Sequence, residues 1–446
     1  MRLSYLRSSS VVVEDEGTAV LRDPWLVDGA FYGSWCHYPP LDSEPEAYAG
    51  VDYVYLSGAA PNRFHSATMA RLDADTPVLI HDDAPDRLRR GVEELGFDVT
   101  ELARGERTHL GGDLHVTVVG ADGHAGDSDR RWWQACSMAP AVADSSPAGS
   151  MAAFDDGENV LVDAGNCRWP LSRRSCDAVA ERYDSVDLLL VQCTEPNPFP
   201  QRMEGYSHEE KLRAREAVIG ESYEAAEGIV DALDPAYFLP IAGSYVLAGD
   251  LAALNRYVAS PTRSEAFWHF VGGVSGRSDP VLLNSGASFD LDDGTPSEEY
   301  TPIDRTRRQE YVEGALADRS FPYQHDDHPS LAELTELLGP AYDRLEAERR
   351  AIGWESDTTV LLDLVDGRVA ALSMAGDGYE VTTPRAADTA GDAVRFSMDD
   401  RLLARILRGP EHARFDDALL GSHVGIRRRP DADGEPLHET MRYLHA

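Results

Sequence analysis

Lysine is almost missing from this chain: its 446 residues hold one, Lys211, beside forty arginines. Acidic residues outnumber basic ones, 78 to 41, for a formal net charge of -37 at pH 7. A field of that sign repels polyphosphate chains and anionic lipid alike. No basic stripe offsets it, so nonspecific binding to nucleic acid or to an anionic membrane surface is not expected. The acidic excess is spread along the chain, not gathered in a tail. Such a balance is expected of a protein kept in solution by molar salt, in a halophilic cytoplasm.

Cysteine is also scarce. Cys36, Cys136, Cys167, Cys176 and Cys193 are odd in number and widely spaced, with no Cys-x-x-Cys pair. Free core or cleft thiols are expected, and neither a disulfide framework nor a zinc cluster. No stretch approaches the roughly 18 apolar residues of a membrane span. The opening MRLSYLRSSSVVV has no long apolar segment and no small-residue cleavage site, so it reads as a first strand of a soluble, cytoplasmic chain. A Gly-rich phosphate loop and a nucleophile elbow are absent too, as are internal repeats. What is there is 42% hydrophobic content, enough for one large core and a smaller second one.

Taken in order, residues 2–6 and 10–14 flank Ser8-Ser9-Ser10, and a turn at Glu16-Gly17 returns the chain as a strand toward Arg22. Strands VDYVYLS, PVLIHD, FDVTEL and DLHVTVVGA follow, with helices over Ser66–Leu72 and Pro85–Leu95. Alternating strands and helices followed by meander strands predict an α/β fold, a sheet with helices on its outer face. SMAAFDDGENVLVDAG reads as a second hairpin turning at Asp156-Gly157. The strand VDLLLVQC, a long helix His208–Leu233 and one strand over AYFLPIAGSYVL come next. Residues 261–330 read as an irregular excursion carrying YQHDDHPS, whose His325, Asp326, Asp327 and His328 fit a solvated turn better than a chelate. Residues 331–446 open on an amphipathic helix and read as a small α+β domain; residues 1–260 form the first domain.

The chemistry is expected around Arg22 to Thr68. An apolar strand closes on Asp23-Pro24-Trp25, an aromatic loop holds Trp35 and Tyr38, and a second strand, Val51 to Leu56, exits sharply at Ser57. The aromatic loop is read equally as a substrate wall or as packing beneath the next helix. This frame resembles the metallo-β-lactamase-like hydrolases, whose second strand exits into His-x-His-x-Asp-His. Here Gly58, Ala60, Asn62 and Arg63 stand at the four motif positions. The resemblance implies an αββα sandwich. Within that group the chain is similar to the CMP-N-acetylneuraminate hydroxylase-like proteins. The likeness is carried by Asp23-Pro24-Trp25-Leu26, the loop Ser34 to Pro40, Pro240-Ile241-Ala242-Gly243-Ser244, and the segment Arg405 to Asp431. The Rieske centre of the hydroxylase needs Cys-x-His and Cys-x-x-His pairs, and this chain has neither.

The resemblance also says where metal ligands belong. Asn166 falls where it places a bridging Asp, and Gly249 where it places the last His; the middle loop keeps only His124. Guanidinium has no lone pair to give and stays protonated, so Arg63 speaks against a cation in the usual place. No metal and no cofactor are expected. Arg63 could instead meet phosphate or carboxylate directly, against the plainer reading that it closes the pocket on Asp23 or Asp163. Arg131, beside Trp132 and Trp133, and Arg202 are further anion contacts. Asn62, Asn166, Trp35 and Tyr38 complete the expected binding set. Asp23 and His65 are the candidate catalytic groups, with His65 read alternatively as holding the helix start.

Three functions follow. The leading one is a metal-free member of this fold that binds or processes a nucleotide-activated or lipid-linked sugar during surface glycan assembly in a halophile. The second is a metal-dependent hydrolase with ligands relocated to His37, His65, His124 and Asp163. The third is a non-catalytic scaffold whose C-terminal domain recruits a glycosyltransferase.

Overall fold

The computed structural model describes residues 1–119, 150–165, 167–194, 198–273, 278–387, 392–428, 437 and 440–446. Period-two alternation builds the first elements, β1 (Arg2–Arg7), β2 (Ser10–Asp15) and β3 (Thr18–Arg22), which pair antiparallel as expected. After β4 (Trp35–His37), β5 (Tyr53–Tyr55), β6 (Val78–His81) and β7 (Val99–Leu102) add on in parallel. The helices Ser66–Met69 and Asp86–Glu94 lie between them in sequence. A second sheet is made by β8 (Arg107–Gly111), β9 (Leu114–Val119), β10 (Met151–Asp155), β11 (Val160–Asp163), β12 (Leu188–Gln192), β13 (Tyr237–Ile241) and, beyond β14 (Tyr245–Leu247), β15 (Asp279–Pro280). Strands β16 (Ser288–Asp290) and β17 (Thr295–Pro296) return to the first sheet beside β1.

The two sheets close on each other through one apolar layer. Leu3, Tyr5, Val11, Val13, Val20 and Tyr55 of the first meet Val116, Val118, Phe154, Leu161, Leu188 and Leu190 of the second. Their alternate residues face outward: Leu21, Val54 and Ile80 pack with Met69, Leu88 and Val92 of the helices over the first sheet. Over the second, Val162, Leu189 and Phe238 pack with the helices Arg173–Arg182, His208–Leu233 and Arg263–Gly273. This is the expected αββα sandwich. The C-terminal residues contribute a five-stranded sheet of β18 (Thr359–Asp363), β19 (Val369–Ser373), β20 (Tyr379–Thr382), β21 (Ala393–Ser397) and β22 (Gly425–Arg428). Its apolar side, with the helices Leu331–Ala351 and Asp400–Arg408, belongs to the same cluster as Trp25, Phe31 and Trp35.

Two expectations are corrected. AYFLPIAGSYVL is not one strand: Ala242, Gly243 and Ser244 all take positive φ, ending β13, and β14 leaves to pair with β4. The stretch read as irregular contains the helix Arg263–Gly273, whose Ala266 and Phe270 are buried. The four cysteines Cys36, Cys167, Cys176 and Cys193 are free and buried, as expected; Cys136 lies outside the described residues.

Candidate functional site

Three strands end on polar residues at inward positions of the sandwich. Arg22 follows inward Val20, Asp163 follows inward Leu161, and Gln192 follows inward Leu190. Their side chains therefore meet between the sheets, where water is excluded. Arg22 grips Asp163 with two bonds, Nε to Oδ2 at 2.7 Å and Nη2 to Oδ1 at 2.9 Å, and donates Nη1 to the Ser9 carbonyl at 2.5 Å. Burial alone would lower the pKa of this guanidinium, but Asp163 and then Asp23 outweigh it and hold it above its ordinary value. Asp23 lies at the turn after β3 with φ 44°, a left-handed conformation uncommon for a residue with a side chain. It accepts the Ser57 amide at 2.8 Å and the Ser57 hydroxyl at 2.6 Å, and lies 3.2 Å from Arg22 Nη1.

Arg63 enters this network from the loop after β5. Its Nη1 donates to Ser57 Oγ at 2.5 Å and stands 3.9 Å from Asp23 Oδ2, while Nη2 reaches Gln192 Oε1 at 3.2 Å. It is 4% exposed, and burial pulls its pKa down against the attraction of Asp23. Two guanidiniums thus face two carboxylates. Asn62 is also buried, and its Oδ1 has no hydrogen-bond partner.

The donor set does not fit the metal that the resemblance implies. Of the four positions where the resemblance expects ligands, only Asn62 offers a side-chain lone pair, and Arg63 carries a fixed positive charge. Among the described residues, no group of three His, Cys, Asp or Glu side chains could hold a metal ion. His37, His65 and Asp163 therefore do not gather into a relocated site; His124 lies outside the described residues.

The remaining sequence candidates are dispersed. His65 is buried, with Nδ1 2.9 Å from Thr68 Oγ1 at the start of the helix Ser66–Met69; burial, then His37, pushes its pKa down to about 4. Trp35 is 2% exposed and stacks on Tyr245 at 3.5 Å, so it packs the loop against β14. Tyr38 is buried beside Tyr311, and its hydroxyl lies 3.4 Å from the Asp304 carbonyl. The backbone of Arg202 pairs with Ile426 of β22, and its side chain feels Glu204 and Tyr323. Asn166 and Arg131 lie outside the described residues. In the segment YQHDDHPS, Asp326 binds Arg405 and His328 binds Asp400, so the loop ties the helix Asp400–Arg408 down. Sequence reading marked Arg22 and Ser57 only as strand ends and had no signal for Gln192; the inward parity of the strands could have found Arg22 and Gln192.

Fold and site together define an αββα sandwich with a buried network of Arg22, Arg63, Asp23 and Asp163 at the ends of its inward-facing strands. No known family profile matches the chain. Over 138 residues it is 30% identical to a putative Rieske 2Fe-2S iron-sulfur protein of Mycolicibacterium smegmatis. That match takes in 29% of this chain and 26% of the relative, so about a quarter of the curated protein's length is spanned. Among solved structures it is similar to an isothiocyanate hydrolase from Delia radicum gut bacteria (TM-score 0.45, 14% identity, 65% of this chain and 99% of that one). It is also similar to a possible metal-dependent hydrolase from Veillonella parvula (0.45, 12%, 65% and 98%). CmlA, a diiron β-hydroxylase from Streptomyces venezuelae, is a further likeness (0.38, 17%, 63% and 53%).

Proposed function

We propose that this chain is a metal-independent protein of the metallo-β-lactamase fold that binds an anionic, sugar-containing small molecule at the Asn62–Arg63 loop. The ligand is a nucleotide-activated or lipid-linked sugar, used in the assembly of surface glycans in a halophile. The observation that carries this reading is the buried Arg63 guanidinium, fixed by Ser57 and Gln192; the resemblance expects a metal's charge at this motif position, where it would meet an anionic substrate. The unpaired acceptor of Asn62 beside it suits a sugar hydroxyl. The sugar itself rests on the resemblance of the Asp23-to-Leu26 corner and the Ser34-to-Pro40 loop to sugar-nucleotide hydroxylase-like proteins, an analogy of family and not of geometry.

Calorimetry in molar potassium chloride against a panel of nucleotide sugars and sugar phosphates tests it. Heat is expected with one class, weakened at least about tenfold by Arg63→Gln, the loss of a charge-assisted bond. Silence across the panel ends the reading. One observation favours the scaffold alternative: Arg22 and Arg63 are matched in number by Asp23 and Asp163, so the network can be purely structural. That alternative predicts that Arg63→Gln changes stability and no binding.

A further inference from the structure

Two other arginines are buried without such matching. Arg7, on β1, is 3% exposed, and Arg263, at the start of the helix Arg263–Gly273, is 4% exposed. Neither has a carboxylate within ion-pair distance among the described residues. Arg7 donates Nη2 to the Pro40 carbonyl at 2.9 Å, and Arg263 donates to the Leu283 carbonyl. The Nε of each is buried with no partner. A buried charge without a counter-ion is costly, and arginine is seldom fully buried unpaired.

The two side chains share one corner of the sandwich. Arg263 lies over the Tyr5 ring at 4.1 Å from its centroid, and Tyr5 is two residues before Arg7 on the inward face of β1. A break in register between Tyr5 and Arg7 re-aims the end of the strand. The hydroxyls of Tyr5, Ser9, Ser244 and Ser285, in the segments next to them, are also buried without partners. Backbone bonds bring their segments together, Gly286 to Tyr5 at 2.8 Å and Ala242 to Ser8 at 3.0 Å. Desolvation lowers the pKa of Arg7, and Arg263 lowers it further; Tyr5, Asp42 and Asp28 oppose this from a distance. Of these, Asp28 is already engaged by His37 and Arg319.

We propose that Arg7 and Arg263, with the hydroxyls of Tyr5, Ser9, Ser244 and Ser285, form a binding site for a phosphate group. Two guanidiniums without a paired carboxylate, one of them resting on the Tyr5 and Tyr300 rings, match a dianion, and hydroxyl donors suit its oxygens; a carboxylate brings one charge and half the acceptors. The site does not use Arg63 and stands whether or not the reading at that loop holds.

The test uses the full chain in molar potassium chloride, with inorganic phosphate as probe and acetate as control, read by calorimetry and thermal melting. Phosphate is expected to give heat and raise the melting temperature, and acetate to do neither. Tyr5→Phe keeps the ring beneath Arg263 and removes only an unpartnered hydroxyl, and should weaken phosphate about 2- to 10-fold without harming the fold. Arg7→Met should abolish the phosphate effect while raising the melting temperature of the ligand-free protein, because it removes an uncompensated buried charge. No phosphate effect on the parent, an equal effect of acetate, or undiminished phosphate binding in Tyr5→Phe overturns the proposal. Should Arg7→Met not fold, the Tyr5→Phe arm decides alone.

Discussion

At the scale of single residues, burial decides which groups can be charged. His423 is 5% exposed; its Nε2 lies 2.9 Å from the Phe31 carbonyl, and its Nδ1 lies 3.0 Å from the Tyr323 hydroxyl. A carbonyl can only accept, so Nε2 carries the proton and the lone pair of Nδ1 takes the tyrosine's hydrogen. That neutral ring joins the turn at Phe31 to the C-terminal segment. Burial pushes its pKa down to about 4, from an ordinary value of 6.5. Between those values the unfolded chain takes up a proton and the folded chain does not. This contribution to stability is therefore intact above about pH 6.5 and is lost as pH falls toward 4, by about 1.4 kcal/mol per pH unit. Denaturant titrations of the parent and His423→Gln across that window check it. The variant should show the shallower pH dependence, and identical slopes would refute the assignment. His65 is pushed down in the same way, so part of the slope remains in the variant.

At the scale of elements, one helix shows how the same change can act in opposite directions. The helix His208–Leu233 begins at a capping box, Ser207 and Glu210 each bonding the other's backbone, which is why its start was legible in the sequence. Gly220 has nothing within 4 Å of where a Cβ would stand, whereas a Cβ on Gly228 would fall on the Trp169 ring. Gly220→Ala should stabilise by about 0.5–1 kcal/mol through helix propensity. Gly228→Ala gains the same propensity but overpacks a tight contact, and should lose about 1–3 kcal/mol. Thermal melts of the two variants should move in opposite directions; a stabilised Gly228→Ala would show that the helix does not bear on Trp169. Elements with strong local signals were legible in this way: alternation gave the β1–β2–β3 hairpins, and Asp156-Gly157 gave the turn between β10 and β11. The break at Ala242–Ser244 was hidden inside a continuous apolar run, because left-handed backbone at Ala and Ser leaves no mark in the sequence. The helix Arg263–Gly273 was hidden by the Ser, Asp and Gly around it. At the site, Arg63 was legible because it stands at a motif position. Arg7, Arg22 and Arg263 were not, since a lone arginine in a strand or helix carries no pattern until the fold brings its partners.

At the scale of the whole molecule, the net charge of -37 and the preference for arginine answer different needs. Guanidinium forks can be buried because they satisfy several acceptors at once, as Arg22 does with Asp163 and the Ser9 carbonyl, and Arg349 with Glu346 and the Trp354 carbonyl. An ammonium at those places would leave acceptors unmet. The surface carries the opposite problem. Exposed pairs such as Arg71 with Glu44 and Glu46 are worth about 0–1 kcal/mol each, so screening them costs little. The unmatched carboxylates repel one another over a Debye length of about 10 Å at 0.1 M salt and about 3 Å at 1 M. Repulsion among that excess outweighs these individually weak pairs, and salt should therefore stabilise the fold. Thermal melts in potassium chloride from a tenth molar to several molar are expected to rise steeply at first and then flatten once the Debye length is shorter than the spacing of surface carboxylates. Sodium chloride should trace the same curve if screening is the cause. A melting temperature that falls with salt would mean that the ion pairs, and not the excess charge, govern the stability of this surface.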